Sequence, residues 1–454
     1  MSTPSKKPLK ISSETRLGRK EKMAPTPIPK KEDVPKLVPS DMCLDQPTLD
    51  VNSAERFLQR SMTLILEEAV KRATDRSEKV CEWVSPEQLQ QLLDLDLRDT
   101  GESEEKVLQR CKDVIKYSVK TAHPHFFNQL YGGMEPYSTA ASFIVEALKP
   151  SLYTYEVAPV FTLMEKAVLR KMIEVIGWDD GDGIFNAGGS LSNMYAINLA
   201  RFHTCPEIKE LGMPAAPRLV LFTSQESHYS IGKAAAFLGI GTKNVHLVPS
   251  DKSGKMIPST GTTVLGAFDP IEQIAAICEK YGLWLHVDAC WGGAVLLSRK
   301  HKHLLQGIHR ANSVAWNPHK MMMASLQCCA FVVRDQMHLL EHCYSAKASY
   351  LFQQDKFYDV SFDCGDKSIQ CSRKPDAFKI WLQWKALGSS RLELRVERAF
   401  AMAQYLMQQI KVRQGFRLLM EPEFTNVCFW YVPRVCRMSP TALTFGPSYT
   451  RWRQ

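Results

Sequence analysis

Leu283-Trp284-Leu285-His286-Val287-Asp288 runs into Ala289-Cys290-Trp291-Gly292-Gly293, and Ser313-Val314-Ala315-Trp316 runs into Asn317-Pro318-His319-Lys320. Both stretches are apolar runs of strand length that stop at a cluster of polar and small residues. Immediately before the first, Ile271–Tyr281 carries apolar residues at helical spacing. Upstream, the helical patterns Phe161–Trp178 and Met194–His203 alternate with β-rich Arg218–Thr223 and Val245–Val248, and Cys328–Val333 adds a strand downstream. Strands interleaved with helices predict an α/β domain with a mainly parallel sheet flanked by helices.

Outward from this centre the pattern changes twice. Towards the N-terminus, Ser53–Arg76, Leu89–Leu97 and Glu105–Tyr117 read as helices without strands between them. Towards the C-terminus, a long helix over Arg391–Val412 precedes strand-like Phe416–Met420 and Asn426–Tyr431, the start of a smaller α+β domain. The expected division is a basic tail over 1–50, a helical segment over 51–135, a large α/β domain over 136–385 and a partial small domain over 386–454.

The net charge of +9 is uneven along the 454 residues. Residues 1–40 hold eight Lys and two Arg against four acidic residues, which leaves +3 for the other 414. The same forty residues hold seven of the 25 prolines, and so much charge with so little apolar patterning predicts a solvated, disordered leader. No apolar run approaches the length of a membrane span, and no signal-peptide core is present, so the expectation is a cytoplasmic protein with neither membrane nor nucleic-acid partner. The thirteen cysteines form no C-x-x-C pair and no zinc spacing, which predicts reduced thiols and no metal site.

Chemistry concentrates where strands end. A carboxylate at the carboxyl end of a strand, like Asp288, lies where open α/β sheets bind ligands and can pair with a cationic ring nitrogen. Alone, it would be read as a turn cap. Lys320 also follows a strand; a lysine held at the edge of a core can lose its proton and form a Schiff base, although most lysines are simply solvated. Asn186-Ala187-Gly188-Gly189-Ser190-Leu191-Ser192-Asn193 opens the helix from Met194, and glycines, hydroxyls and free helix N–H groups together suit a phosphate. A generic turn could carry the same residues. His228, in Ser227-His228-Tyr229-Ser230, follows another strand and is placed to stack on an aromatic ring or move a proton.

In this order, the Gly-Gly-Ser turn, the strand-end histidine, His-Val-Asp-Ala and Asn-Pro-His-Lys resemble the group II pyridoxal-phosphate-dependent decarboxylases, enzymes of the fold-type I transferase fold. The likeness runs from about Val80 to Arg434. Val-Cys-Glu-Trp (80–83), His-Pro-His-Phe-Phe-Asn-Gln-Leu (123–130), Tyr-Thr-Tyr-Glu (153–156) and Ser-Tyr-Leu-Phe-Gln-Gln-Asp-Lys-Phe-Tyr-Asp-Val (349–360) resemble its acidic amino-acid branch, the glutamate and cysteine-sulfinate decarboxylases and their relatives. The resemblance implies that Lys320 carries pyridoxal phosphate as a Schiff base and that Asp288 keeps the ring nitrogen protonated. It implies that His228 stacks on the ring, that Gly189, Ser190 and Ser192 take the phosphate with help from His319, and that Asn317 and Ser259 complete the cofactor's surroundings. Tyr350 matches the mobile-loop tyrosine that reprotonates the substrate carbon, and Phe127 and Gln129 fall in the segment that contacts substrate. A homodimer acting on small acidic amino acids follows, turning aspartate into β-alanine and cysteine sulfinate into hypotaurine.

Two features depart from the family. Only a dozen residues separate the strand ending at Val248 from Gly261-Thr262-Thr263-Val264, with Pro258 among them. Parallel strands need a crossover of about a dozen residues or more, usually a helix. The family has a helix and a buried strand here, so an internal piece near 258–260 is expected to be missing. After Val432-Pro433 the likeness stops, Met438–Gln454 has no regular pattern, and no residue matches the family's α-carboxylate-binding arginine. The expectation is an internally deleted, C-terminally truncated isoform that keeps its catalytic residues but folds poorly or has little activity, at most binding cofactor or pairing with a full-length subunit.

Overall fold

The computed structural model describes residues 50–128, 130–251, 253–255, 266–335, 337–348, 350–353 and 355–432. The chain divides into two units, Met1–Met62 and Thr63–Gln454. The first is described from Asp50, which opens helix α1 (Val51–Leu64). In the second, the coil continues as a wide turn over Ile65–Lys71 and a tight one over Arg72–Thr74, short of the expected end at Arg76. Helices α2 (Pro86–Leu92), α3 (Glu104–Tyr117), α4 (Pro136–Leu148) and α5 (Pro159–Ile176) follow. Proline supplies the first residue of α2, α4 and α5, where its missing N–H costs nothing.

The α/β part then runs β1 (Asp182–Asn186), α6 (Gly189–Thr204), α7 (Ile208–Leu211), β2 (Leu221–Ser224), α8 (Ser230–Phe237), β3 (Val245–Val248), α9 (Ile271–Tyr281), β4 (His286–Asp288), β5 (Ser313–Trp316), β6 (Cys329–Val333) and α10 (Leu339–Tyr344). Helix α11 (Ala377–Val412) is broken at Gly388, whose φ of 66° is one that glycine adopts without strain. Strands β7 (Phe416–Leu418) and β8 (Phe429–Tyr431) close the described chain as an antiparallel pair. Among the described residues no helix is long and apolar enough to cross a membrane.

The main sheet has the order β1-β6-β5-β4. Strands β4 and β5 are parallel, while β6 runs against both β5 and β1. Three strands therefore point one way and only β6 is reversed. The reversal follows from its connection: Asn317–Cys328 contains no helix, and a loop that short returns the chain antiparallel. Strands β2 and β3 form a separate parallel pair, so among the described residues β4 and β2 each have one strand partner. Pro258, Ser259 and the expected gap lie outside the described residues, as do the tail over 1–49 and the C-terminal stretch from Pro433.

The pleat sorts the sheet's side chains into two layers. Phe185, Val287, Val314, Trp316, Ala330 and Val332 pack with α5, α9 and α11 in the larger core. Ile184, Phe331 and Val333 face Tyr195, Leu199 and Leu340 of α6 and α10. Strand β6 is buried throughout, as a strand covered on both faces should be. The sequence reading had no element at β1, α4 or α8, and it started α6 at Met194 rather than Gly189. The last difference matters, because the Gly-Gly-Ser turn is the first turn of the helix itself.

Candidate active site

Because Val287 points into the larger core, its neighbours His286 and Asp288 must point to the opposite face of β4, under α6. Asn193, one turn into α6, meets both. Its Nδ2 donates to Asp288 Oδ2 at 2.9 Å and to Ser230 Oγ at 2.9 Å, and its Oδ1 lies 3.0 Å from His286 Nε2. With Nδ2 donating, Oδ1 must accept, so the His286 proton sits on Nε2. His286 Nδ1 then accepts from Ser313 Oγ at 2.9 Å, and Ser313 Oγ in turn accepts from Trp284 Nε1 at 3.0 Å. Burial drives His286 down to about 4, so the ring is neutral. Burial alone would raise the Asp288 carboxyl, but donation from Asn193 and from the Cys290 amide, with His286 nearby, holds it below its ordinary value.

His228 closes the same network from the other side. Its Nδ1 accepts from the Ser230 amide at 3.3 Å and lies 2.8 Å from Ser230 Oγ, which leaves the ring proton on Nε2. Burial lowers its pKa, against the pull of Asp288. Asn193, Ser230, His286 and Ser313 were not singled out from sequence. His286 was legible two residues before Asp288 on one strand, whereas nothing marked Ser230 or Ser313.

Lys320 sits in a tight turn in which its amide donates to Asn317 O at 3.0 Å. Asn317 N donates to Cys290 O at 3.1 Å, tying that turn to the end of β4. His319 packs its Nδ1 2.6 Å from Cys328 O, and burial takes it down to about 4. At the N-terminus of α6, Gly188 has φ 138° and Gly189 is pressed against the sheet. A Cβ on Gly189 would lie 2.6 Å from Cys290 Sγ and 3.2 Å from Asn317 Nδ2. The first amides of a helix have no acceptor inside it, and here they belong to Gly189 and exposed Ser190, while Leu191 N and Ser192 N donate to Gly188 O. Ser192 is different: its hydroxyl is buried, with Asn186 Nδ2 at 2.9 Å and Cys329 Sγ at 3.1 Å.

Lys320 also lines a cavity of about 430 Å³ with Tyr131, Trp291, Arg395 and Arg398. Tyr350 and Phe127 are 77% and 82% exposed and do not line it. Gln129 and Ser259 lie outside the described residues. A carboxylate kept charged below a helix N-terminus, a lysine in a fixed turn and a glycine cradle at the start of a helix fit the ring nitrogen, aldehyde and phosphate of pyridoxal phosphate. No group of three or more metal-ligating side chains occurs among the described residues.

Known proteins resemble this chain in sequence and fold. Residues 86–432 match the family described as pyridoxal-dependent decarboxylase conserved domain. The acidic amino acid decarboxylase GADL1 of Bos taurus is 61% identical over 428 residues, covering 89% of this chain and 82% of that protein. The cysteine sulfinic acid decarboxylase of Rattus norvegicus is 55% identical over 406 residues, covering 85% and 82%. The crystal structure of mouse CSAD superposes with a TM-score of 0.84 at 53% identity, over 87% of each chain. Tryptophan decarboxylase of Catharanthus roseus, at 22% identity, shares the fold with a TM-score of 0.75. The chain belongs to the pyridoxal-dependent decarboxylase family, carboxy-lyases that work with pyridoxal phosphate.

Proposed function

We propose that this chain decarboxylates small acidic amino acids, aspartate to β-alanine and cysteine sulfinate to hypotaurine, with Lys320 as the amine that holds the cofactor. The observation that carries the reading is the Asp288 carboxylate, kept ionised under α6 by Asn193. The acidic substrates are taken from the names of the relatives at 61% and 55% identity. When bound, pyridoxal phosphate supplies the electron sink for the pair left behind as carbon dioxide departs. Asp288 holds the proton on the ring nitrogen that makes the sink effective. His228, with its proton on Nε2, would cover one face of the ring, and Asn317 and His319 would fix the turn that aims Lys320.

Gly189 and Ser190 take the phosphate. Ser192, already bonded to Asn186, keeps the cradle in shape. Tyr350 returns a proton to the carbon that lost carbon dioxide. Since Tyr350 is exposed in one chain, we assign it to the site of a second subunit in a homodimer. Phe127 and Gln129 belong to the substrate-contacting segment.

A second reading is an impaired protein that retains the motif. It draws on the lack of pairing between β4 and β2 among the described residues, and on Phe222 and Leu247 of the β2–β3 pair, 60% and 62% exposed. Parallel strands are normally covered on both faces. Leaving two such side chains bare forgoes about 1.5–3 kcal/mol each.

One experiment separates the two readings. The absorption spectrum of the purified protein with pyridoxal phosphate is recorded beside Lys320→Ala, followed by assay of carbon dioxide release from aspartate, cysteine sulfinate and glutamate. A cofactor band lost in the variant, with release from the first two, supports the enzyme. Folded protein with neither band nor release supports the second reading.

A further inference from the structure

We propose that Arg395 and Arg398 form an anion subsite for the side-chain acid group of the substrate, a carboxylate or a sulfinate. The inference rests on the acidic-substrate reading above and names the residues that would enforce it. Both arginines lie on the part of α11 after the break at Gly388, three residues apart and so on one face of the helix. Both line the cavity that holds Lys320, and no Asp or Glu is among its described lining residues.

The two arginines differ in what holds them. Arg395 Nη2 donates to Glu135 Oε1 at 3.2 Å, and Glu135, 1% exposed, takes Ser138 N on its other oxygen at 2.7 Å. That contact fixes the guanidinium plane. It leaves Nη1 buried and without a hydrogen-bond partner among the described residues. Arg398 is exposed and has no ion pair or hydrogen bond among the described residues. Arg395, oriented by Glu135 and with 29% of its side chain still exposed, beside a free second guanidinium, suits a two-oxygen anion. The competing reading is structural: Arg395 only neutralises Glu135, and Arg398 is only solvated.

Charge logic chooses which substrate group these residues hold. Lys320 would be taken up by the cofactor, which leaves the arginines as the cavity cations free to meet the substrate. The α-carboxylate leaves as neutral carbon dioxide, so it needs a counter-charge only before that step. The side-chain acid keeps its charge throughout. Binding it there improves affinity and selects acidic substrates without slowing the chemical step.

The test uses the cofactor-loaded protein and two variants, Arg398→Gln and Arg395→Lys, the second keeping a charge for Glu135. Calorimetric titration with succinate, a dicarboxylate without an amine, reads the subsite directly, and KM and kcat are measured with aspartate and cysteine sulfinate. Each variant is expected to weaken succinate binding and raise KM by about tenfold, with kcat within about twofold. Arg398→Gln should leave the cofactor absorption band and Tm unchanged. The proposal is overturned if wild type does not bind succinate, or if both variants bind it as wild type does. It is also overturned if Arg395→Lys alone loses kcat and Tm together, the mark of a structural role. Arginine-dependent succinate binding in a protein that decarboxylates no acidic amino acid would sink the function reading and leave the subsite standing.

Discussion

Asn193 reaches from the first turns of α6 to Asp288 at the end of β4, 2.9 Å from Nδ2 to Oδ2, and hydrogen-bonds Asp288, His286 and Ser230 together. A buried carboxylate must be paired or hydrogen-bonded to remain charged. Asn193 does this without adding a charge of its own, so the negative charge of Asp288 stays available to a cationic ring nitrogen.

Replacing Asn193 with leucine keeps the volume and removes the donor. Hydrogen bonds to charged groups contribute about 1.5–3 kcal/mol, which corresponds to roughly ten- to hundredfold weaker cofactor binding. Titration of pyridoxal phosphate against the variant, followed at the cofactor band, checks this. Unchanged affinity in a folded variant would mean that Asp288 does not depend on Asn193.

Gly189→Ala should impair cofactor binding for a steric reason. Its Cβ would sit 2.6 Å from Cys290 Sγ, inside contact distance, and would push the helix start away from Asn317. Cys290→Ala removes the obstructing sulfur. The double variant is therefore expected to recover most of the lost affinity, a coupling that additive effects would not give. Equal affinity in single and double variants would place the damage elsewhere.

How much of this was legible depended on which residues carried a local signal. Asp288, Lys320 and the glycines announced themselves because each closed an apolar strand or opened a helix. Strand β1 did not, since Asp182-Gly-Ile-Phe-Asn186 offers only two apolar residues, and its burial comes from β6 pairing beside it. The reversal of β6 was within reach of the same crossover rule that flagged the gap after Val248, had it been applied to Asn317–Cys328. Arg395 was beyond reach: its meaning depends on Glu135, 260 positions away in sequence.

Stability should fall between neutral and mildly acidic pH. Free histidine titrates at about 6.5, whereas His286 and His319 are held near 4, both chiefly by burial. Between those values the unfolded chain binds protons that the folded chain refuses, so stability rises with pH across the window and is lost as pH falls through it. The loss is on the order of 3 kcal/mol per histidine by pH 4. Urea midpoints at pH 7 and pH 5 measure it. His286→Gln, which cannot titrate, should show a shallower slope than wild type, and an identical slope would rule His286 out as a contributor.

Arg373 and Glu165 tie β1 to α5 directly behind the phosphate cradle. Arg373 Nη1 donates to Glu165 Oε1 at 2.8 Å, to Oε2 at 2.6 Å and to the carbonyl of Phe185 at 3.2 Å, and both side chains are nearly inaccessible. The guanidinium is incompletely satisfied, since its Nε and Nη2 have no hydrogen-bond partner among the described residues. Such a pair contributes little net stability, yet removing one partner strands a buried charge at a cost of about 3–5 kcal/mol. Glu165→Leu alone should therefore lower the urea midpoint sharply and loosen cofactor binding, because Asn186 and the Gly188-Gly189 turn follow directly from the strand that Arg373 anchors. Pairing it with Arg373→Met removes both charges, and the double variant is expected to regain most of the lost stability. A double variant as unstable as Glu165→Leu would show that packing, not the uncompensated charge, was what the single change destroyed.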